Sequence, residues 1–198
     1  MANQGVNSGR RRFLTATTAV VGAVGAGFAA VPFIKSWQPS ARAQVAGAPV
    51  EVDISKIEPG QRITVQWRGQ PVWLVRRTPE QLAALPSQNP RLRDPNSDNT
   101  EQQPDYARNE FRSIRPELLV LVGLCTHLGC VPLYRPELQA QPFDSEWKGG
   151  FYCPCHNSRF DMAGRVYEGV PAPTNLKVPP YRFVDDNRVM IGVDEGAA

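Results

Sequence analysis

A chain of 198 residues, 41% of them hydrophobic, has room for one well-buried domain and a tail but not for two ordinary domains. Its net charge of +3 invites a nucleic-acid reading that the placement of charge excludes: Arg10, Arg11, Arg12, Lys35 and Arg42 all precede the first acid, Glu51, and without them 17 Lys and Arg face 19 Asp and Glu. The soft metal ligands are just as uneven. All 4 Cys and both His lie between Cys125 and His156, a clustering foreign to scattered structural cysteines.

In chain order, residues 1–12 form a basic N-terminus in which Ser8 to Leu14 reads Ser-Gly-Arg-Arg-Arg-Phe-Leu, a pattern that resembles a twin-arginine export signal. An uncharged run of 22 residues follows, Phe13 to Ile34. As a helix it would be about 33 Å long, enough for a hydrocarbon core of about 30 Å, and secretory signal cores are usually shorter. We assign residues 13–35 to a single membrane anchor. Arg10 to Arg12 on one side outnumber Lys35 and Arg42 on the other, which puts the N-terminus in the cytoplasm and the rest on the periplasmic side of a bacterial inner membrane. Two features point instead to a cleaved signal. Ala41-Arg42-Ala43 fits a peptidase site, and Gly22, Gly25, Gly27 and three threonines weaken the run as a membrane helix. Residues 36–49 are small, polar and proline-bounded, and read as a flexible tether spanning at most about 48 Å.

Residues 50–198 form the head, which reads as all-β and antiparallel. Strands are expected at Val50 to Ile54, Arg62 to Trp67 and Pro71 to Arg76, with Arg68-Gly69-Gln70 turning a hairpin. Thr78-Pro79-Glu80-Gln81 offers an N-cap, a proline at the first helical position and Gln at N3, so a short helix should run to about Leu85. Pro86 to Pro116 holds five prolines and no hydrophobic period, and reads as a long, solvated surface excursion that Tyr106 and Phe111 could pin down. Leu118 to Leu124 is an apolar strand. Further strands are expected at Arg165 to Tyr167, Tyr181 to Val184 and Val189 to Val193, with Asp185-Asp186-Asn187 turning the last pair.

The apolar strand delivers Cys125-Thr126-His127-Leu128-Gly129-Cys130, and a second loop reads Cys153-Pro154-Cys155-His156-Asn157-Ser158. Each offers thiol and imidazole within a few residues. A Cys2His2 set drawn from them suits zinc as well as a Rieske cluster, and two cysteines are left over, for which an exported protein allows a disulfide.

The paired motif resembles the Rieske iron-sulfur proteins of cytochrome bc complexes, whose order of anchor, tether, β head and proline loop, here Gly169-Val170-Pro171-Ala172-Pro173, matches nearly the whole chain. The resemblance implies a Rieske-type antiparallel head with a small cluster-binding subdomain at about 118–181 and one [2Fe-2S] cluster. It implies Cys125 and Cys153 on the buried iron, His127 and His156 on the exposed iron, and a disulfide between Cys130 and Cys155. Ser158 would donate to a bridging sulfide. Three departures bear on potential and partner surface. The spacer from Cys130 to Cys153 is 22 residues, Asn157 stands where the family has Gly, and Phe160 stands where a Tyr donates a hydrogen bond. Leu128, Val131 and Leu133 are either core or a surface that shields the cluster and docks to the membrane subunit, and Pro171 to Pro173 likewise either packs or docks.

Two neutral imidazoles in place of two thiolates bring the oxidised centre from a formal charge of about −2 to about zero, which lifts the potential from about −400 mV toward roughly −150 to +300 mV. That range suits electrons from a quinol. The resemblance therefore implies the iron-sulfur subunit of a ubiquinol to cytochrome c oxidoreductase, catalytic only within its complex. It would take an electron from ubiquinol at a cytochrome b subunit, with His156 accepting the hydrogen bond and the proton, and deliver it to a c1-type haem. Membrane retention separates this from the small subunit of a periplasmic arsenite oxidase, and labile sulfide separates it from a zinc-stabilised binding module. Soluble Rieske ferredoxins and oxygenase components lack the extra cysteine pair and the export signal.

Overall fold

The computed structural model describes residues 5, 7–41, 43 and 47–193, and the chain divides into two compact units, Met1–Val45 and Ala46–Ala198. Arg42, residues 44–46 and thus part of the peptidase-site and tether readings lie outside the described residues.

The long helix of the first unit is α1 (Ser8–Ser36), longer at its start than the expected anchor because it takes in the arginines. Asn7 caps it, its side-chain oxygen accepting from Arg10 N–H at 3.1 Å. Three arginines in the first turn oppose the helix dipole, so local helix stability does not explain them. The threonines that weaken the apolar run are masked: Thr15, Thr17 and Thr18 donate back to the carbonyls of Arg11, Phe13 and Leu14. No residue of α1 is buried in protein, and its most apolar window has a mean hydropathy of 1.8.

The second unit is built from three antiparallel three-stranded sheets. In the first, β2 (Arg62–Trp67) and β3 (Gln70–Arg76) form the expected hairpin, Trp67 opposite Gln70, with Arg68 and Gly69 both at positive φ as a two-residue turn that follows strand twist requires. β4 (Leu118–Val122) adds to β3, and its five buried residues explain the unbroken apolar run. The second sheet was not legible in the sequence. It consists of β5 (Leu133–Arg135), β6 (Gly150–Cys153) and β7 (Ser158–Phe160), strands too short for alternation to register. The third joins the ends of the unit, β1 (Val50–Asp53) pairing with β9 (Arg188–Ile191), and β9 with β8 (Tyr181–Phe183). Trp73 of β3 stacks on Phe151 of β6 at 5.0 Å and so couples the first two sheets. Gly123, after β4, leaves room for that indole: a Cβ there would lie 2.6 Å from Trp73 Cζ2.

Three expectations need correction. The helix α2 (Pro79–Gln88) has the expected capping box but runs past Leu85 and through Pro86, because Leu85 and Gln88 are buried and the Leu85 carbonyl finds a partner in Arg165 Nη2 at 3.1 Å. Arg165 to Tyr167 makes only single bridges, Val166 to Phe160 and Tyr167 to Leu92. Two of its backbone donors are used by side chains instead, Arg165 N–H by Asp161 Oδ1 at 2.8 Å and Val166 N–H by Asn175 Oδ1 at 2.8 Å, while Tyr167 N–H donates to the Arg159 carbonyl at 3.1 Å. Finally, 86–116 is not a solvated excursion: Leu92, Ser97, Gln103, Ala107, Arg112 and Ser113 are buried within it. It shows no hydrophobic period because polar groups do the packing. Arg112 donates to the carbonyls of Ala163, Gly164 and Gln102, each at 3.3 Å, and Arg77 donates to those of Phe111 and Pro116 and to Ser113 Oγ. Burial pulls the guanidinium pKa of Arg77 down to about 10 and that of Arg112 down to about 9, which still leaves both charged at neutral pH.

Candidate metal centre

Both ligand loops hang from strand ends. The first follows β4 and closes on itself: Cys125 N–H donates to the Cys130 carbonyl at 2.7 Å and Gly129 N–H to the Cys125 carbonyl at 2.9 Å, with Gly129 at φ 79°. The second is the turn between β6 and β7, in which Cys153 pairs with Ser158. This turn needs a left-handed residue, and Asn157 takes it at φ 62°. Asn tolerates that conformation better than other side chains, so the departure from Gly preserves the turn.

The loops meet along two lines. His127 and His156 lie ring against ring, centroids 4.6 Å apart and perpendicular. Behind them Cys125 and Cys153 are free and buried, their thiols hydrogen-bond neighbours. Burial pushes the Cys153 thiol up, the Cys155 backbone N–H opposes this, and the Cys125 thiol adds to it. Thiolates at this spot therefore call for a bound cation. The imidazoles face outward, His156 exposed and His127 half-buried. Cys130 and Cys155 form a disulfide across 25 residues, tying one loop to the other. Their sulfurs and that of Cys153 lie within 4.8 Å of one another, but the bridge leaves Cys153 alone of the three to bind metal.

One atom tests the fit of a metal group. His127 Nδ1 is buried and has no hydrogen-bond partner among the described residues, an arrangement that costs free energy unless something else takes its lone pair. With a second imidazole against it and the free thiols of Cys125 and Cys153 on the same two loops, a metal ion held by nitrogen and sulfur would fit that lone pair.

Ser158 is buried, and its Oγ accepts from Ala172 N–H of the 169–173 loop at 3.1 Å, which leaves the hydroxyl proton for another acceptor. Thr126 ties the same region to the first loop, its hydroxyl donating to the Thr174 carbonyl at 2.7 Å. Phe160 is fully buried opposite Phe151. In the 169–173 loop Ala172 is packed, whereas Pro171 and Pro173 are exposed. Leu128, Val131 and Leu133 are not core: they are 71%, 54% and 43% exposed. The long spacer is fastened at Asp144, whose Oδ1 and Oδ2 both accept from Arg91 Nη2, at 2.8 and 2.7 Å, and whose carboxylate lies 3.3 Å from Arg159. Sequence reasoning missed Asp144 and Asn175, since neither belongs to a motif and both act across gaps of many residues.

Residues 1–40 match a family model described as the TAT signal of the Ubiquitinol-cytochrome C reductase Fe-S subunit, and residues 101–180 match the Rieske [2Fe-2S] domain. A ubiquinol-cytochrome c reductase iron-sulfur subunit from Allochromatium vinosum is 60% identical over 198 residues, covering 100% of this chain and 95% of that one. The chain belongs to the Rieske iron-sulfur subunits of ubiquinol-cytochrome c reductase. Another member, from Rhodospirillum rubrum, is 45% identical over 95% of this chain and 94% of its own. Among solved structures, a chain of a hyperthermophilic respiratory Complex III is 27% identical with a TM-score of 0.47, covering 88% of this chain and 98% of that one. The Rieske domain assigns the metal group as a [2Fe-2S] cluster, which suits the thiol and imidazole donors assembled here.

Proposed function

We propose that this chain carries single electrons from ubiquinol, at a cytochrome b subunit, to a c1-type haem, with Cys125, His127, Cys153 and His156 holding the cluster. The observation that carries this reading is the pair of imidazoles set ring against ring on the outer side of two buried free thiols, in a chain 60% identical to a ubiquinol-cytochrome c reductase subunit. When bound, the cluster supplies a one-electron acceptor raised in potential by its two neutral imidazoles.

The side chains divide the remaining work. His156, exposed, presents the ring nitrogen that would not bind iron; with its own proton given up, as an imidazolate, that nitrogen would accept the hydrogen bond of the quinol hydroxyl and then its proton. Leu128, Val131 and Leu133 form an apolar rim that excludes water from that contact and docks on the membrane subunit. The disulfide holds the two loops in register, and Ser158 has a hydroxyl proton that it would donate to a cluster sulfur. Helix α1 stays in the bacterial inner membrane with Arg10 to Arg12 in the cytoplasm, and the head, joined by residues 36–49, lies on the periplasmic side.

The test uses membranes of a host expressing the chain with its complex. Quinol-dependent reduction of c-type haem is expected to be lost in His156→Gln, with the protein still in the membrane fraction. An undiminished rate in that variant would overturn the reading.

A further inference from the structure

The segment 86–116 has no role in the chemistry described so far, yet it is buried against the base of the 169–173 loop. Its residues 91–94 run antiparallel to 166–168: Arg93 N–H donates to the Val166 carbonyl at 3.0 Å, Glu168 N–H to the Arg91 carbonyl at 2.9 Å, and Leu92 bridges Tyr167. Arg93 also reaches the loop itself, its Nη2 donating to the Val170 carbonyl at 3.2 Å.

One side chain joins these pieces. Asn175 is fully buried, and its amide works in two directions. Oδ1 accepts from Val166 N–H at 2.8 Å, closing the neck of the loop between its two limbs. Nδ2 donates to the Asp94 carbonyl at 3.0 Å, fastening that neck to the segment behind. Asp94 is itself fixed, its carboxylate accepting from Asp98 N–H at 2.7 Å and Asn99 N–H at 3.2 Å. Above the neck, Thr174 holds the first ligand loop through Thr126, and Ala172 N–H holds Ser158 of the second.

We propose that Asn175 is a positioning residue that sets the reduction potential of the cluster from outside its ligands, with Asp94 and Arg93 as its supports. The physical link is the Ala172 to Ser158 contact. An N–H that donates to a hydroxyl oxygen polarises the O–H and strengthens what that hydroxyl donates in turn. A loop held rigidly by its neck keeps the donor in place, while a loosened loop surrenders it to water.

This inference rests on Ser158 donating to a cluster sulfur, so its test includes Ser158→Ala. Midpoints of the full-length protein in detergent are read by redox titration under electron paramagnetic resonance for Ser158→Ala, Asn175→Asp, Arg93→Met and the double variant Ser158→Ala with Asn175→Asp. Asn175→Asp keeps shape and the Val166 acceptor but loses the donor to Asp94. Arg93 is exposed, so its variant should fold normally and reports independently. Both Asn175→Asp and Arg93→Met should lower the midpoint by a fraction of the Ser158→Ala shift, and Asn175→Asp should add nothing in the double variant. An unchanged midpoint in Ser158→Ala would overturn the serine's role and the relay with it. A lowered midpoint in Ser158→Ala beside unchanged ones in Asn175→Asp and Arg93→Met would overturn Asn175 alone, as would a full further shift in the double variant.

Discussion

Phe160 is where a single residue departs most informatively from the family. It lies fully buried on β7, two residues beyond Ser158, and keeps the packing of an aromatic ring without any donor. A hydrogen bond to a ligand sulfur favours the reduced state by withdrawing electron density. Such bonds to charged acceptors are worth about 1.5 to 3 kcal/mol, and with only the difference between redox states counting we expect a gain of about 1 kcal/mol, or about 40 to 50 mV, in Phe160→Tyr. Voltammetry should find the midpoint raised by that amount. An unchanged or lowered midpoint with the cluster intact would remove Phe160 from the surroundings of a ligand sulfur. At this scale the grouping of side chains was largely legible in the sequence, because the thiols and imidazoles that the structure brings together come in two short motifs. Asp144 and Asn175 were not, since a buried carboxylate between Arg91 and Arg159, or an amide between Val166 and Asp94, is a relation among distant positions that leaves no local spacing to read.

Among elements, the ligand loops depend on one covalent tie. The disulfide from Cys130 to Cys155 spans the two loops directly beside the buried thiols, and removing a native bridge typically costs about 2 to 5 kcal/mol. Cys130→Ser or Cys155→Ser should therefore melt at lower temperature and lose its cluster during purification. Full cluster occupancy and an unchanged melt in either variant would contradict this. Elements with their own local signals were well placed by sequence: the β2–β3 hairpin around Arg68 and Gly69, the capping box of α2, the apolar β4. The second sheet escaped because β5 and β7 have three residues each, too few to show a period. The burial of 86–116 escaped for a different reason, its packing being done in large part by Arg112 and Gln103 through side-chain hydrogen bonds, so polarity there did not mean exposure.

For the whole molecule, the division into Met1–Val45 and Ala46–Ala198 puts α1 and the two thiol and imidazole loops in different units. A head beginning at Ala46, exported behind a cleavable signal, is expected to be soluble and to hold the cluster, but not to restore quinol oxidation in cells lacking the full protein, because an anchor would keep the head at high effective concentration beside its partners. Restored growth on that chain alone would show that the anchor is dispensable, as a cleaved signal would be. The central claim, that this chain carries electrons within a quinol-oxidising complex, is tested most directly by isolating the protein from gently solubilised native membranes. The preparation should contain two irons and two labile sulfides per chain, a reduced spectrum of low average g, and b- and c-type haems in the same particle. Zinc without labile sulfide, or a clustered protein free of both haems, would contradict the account.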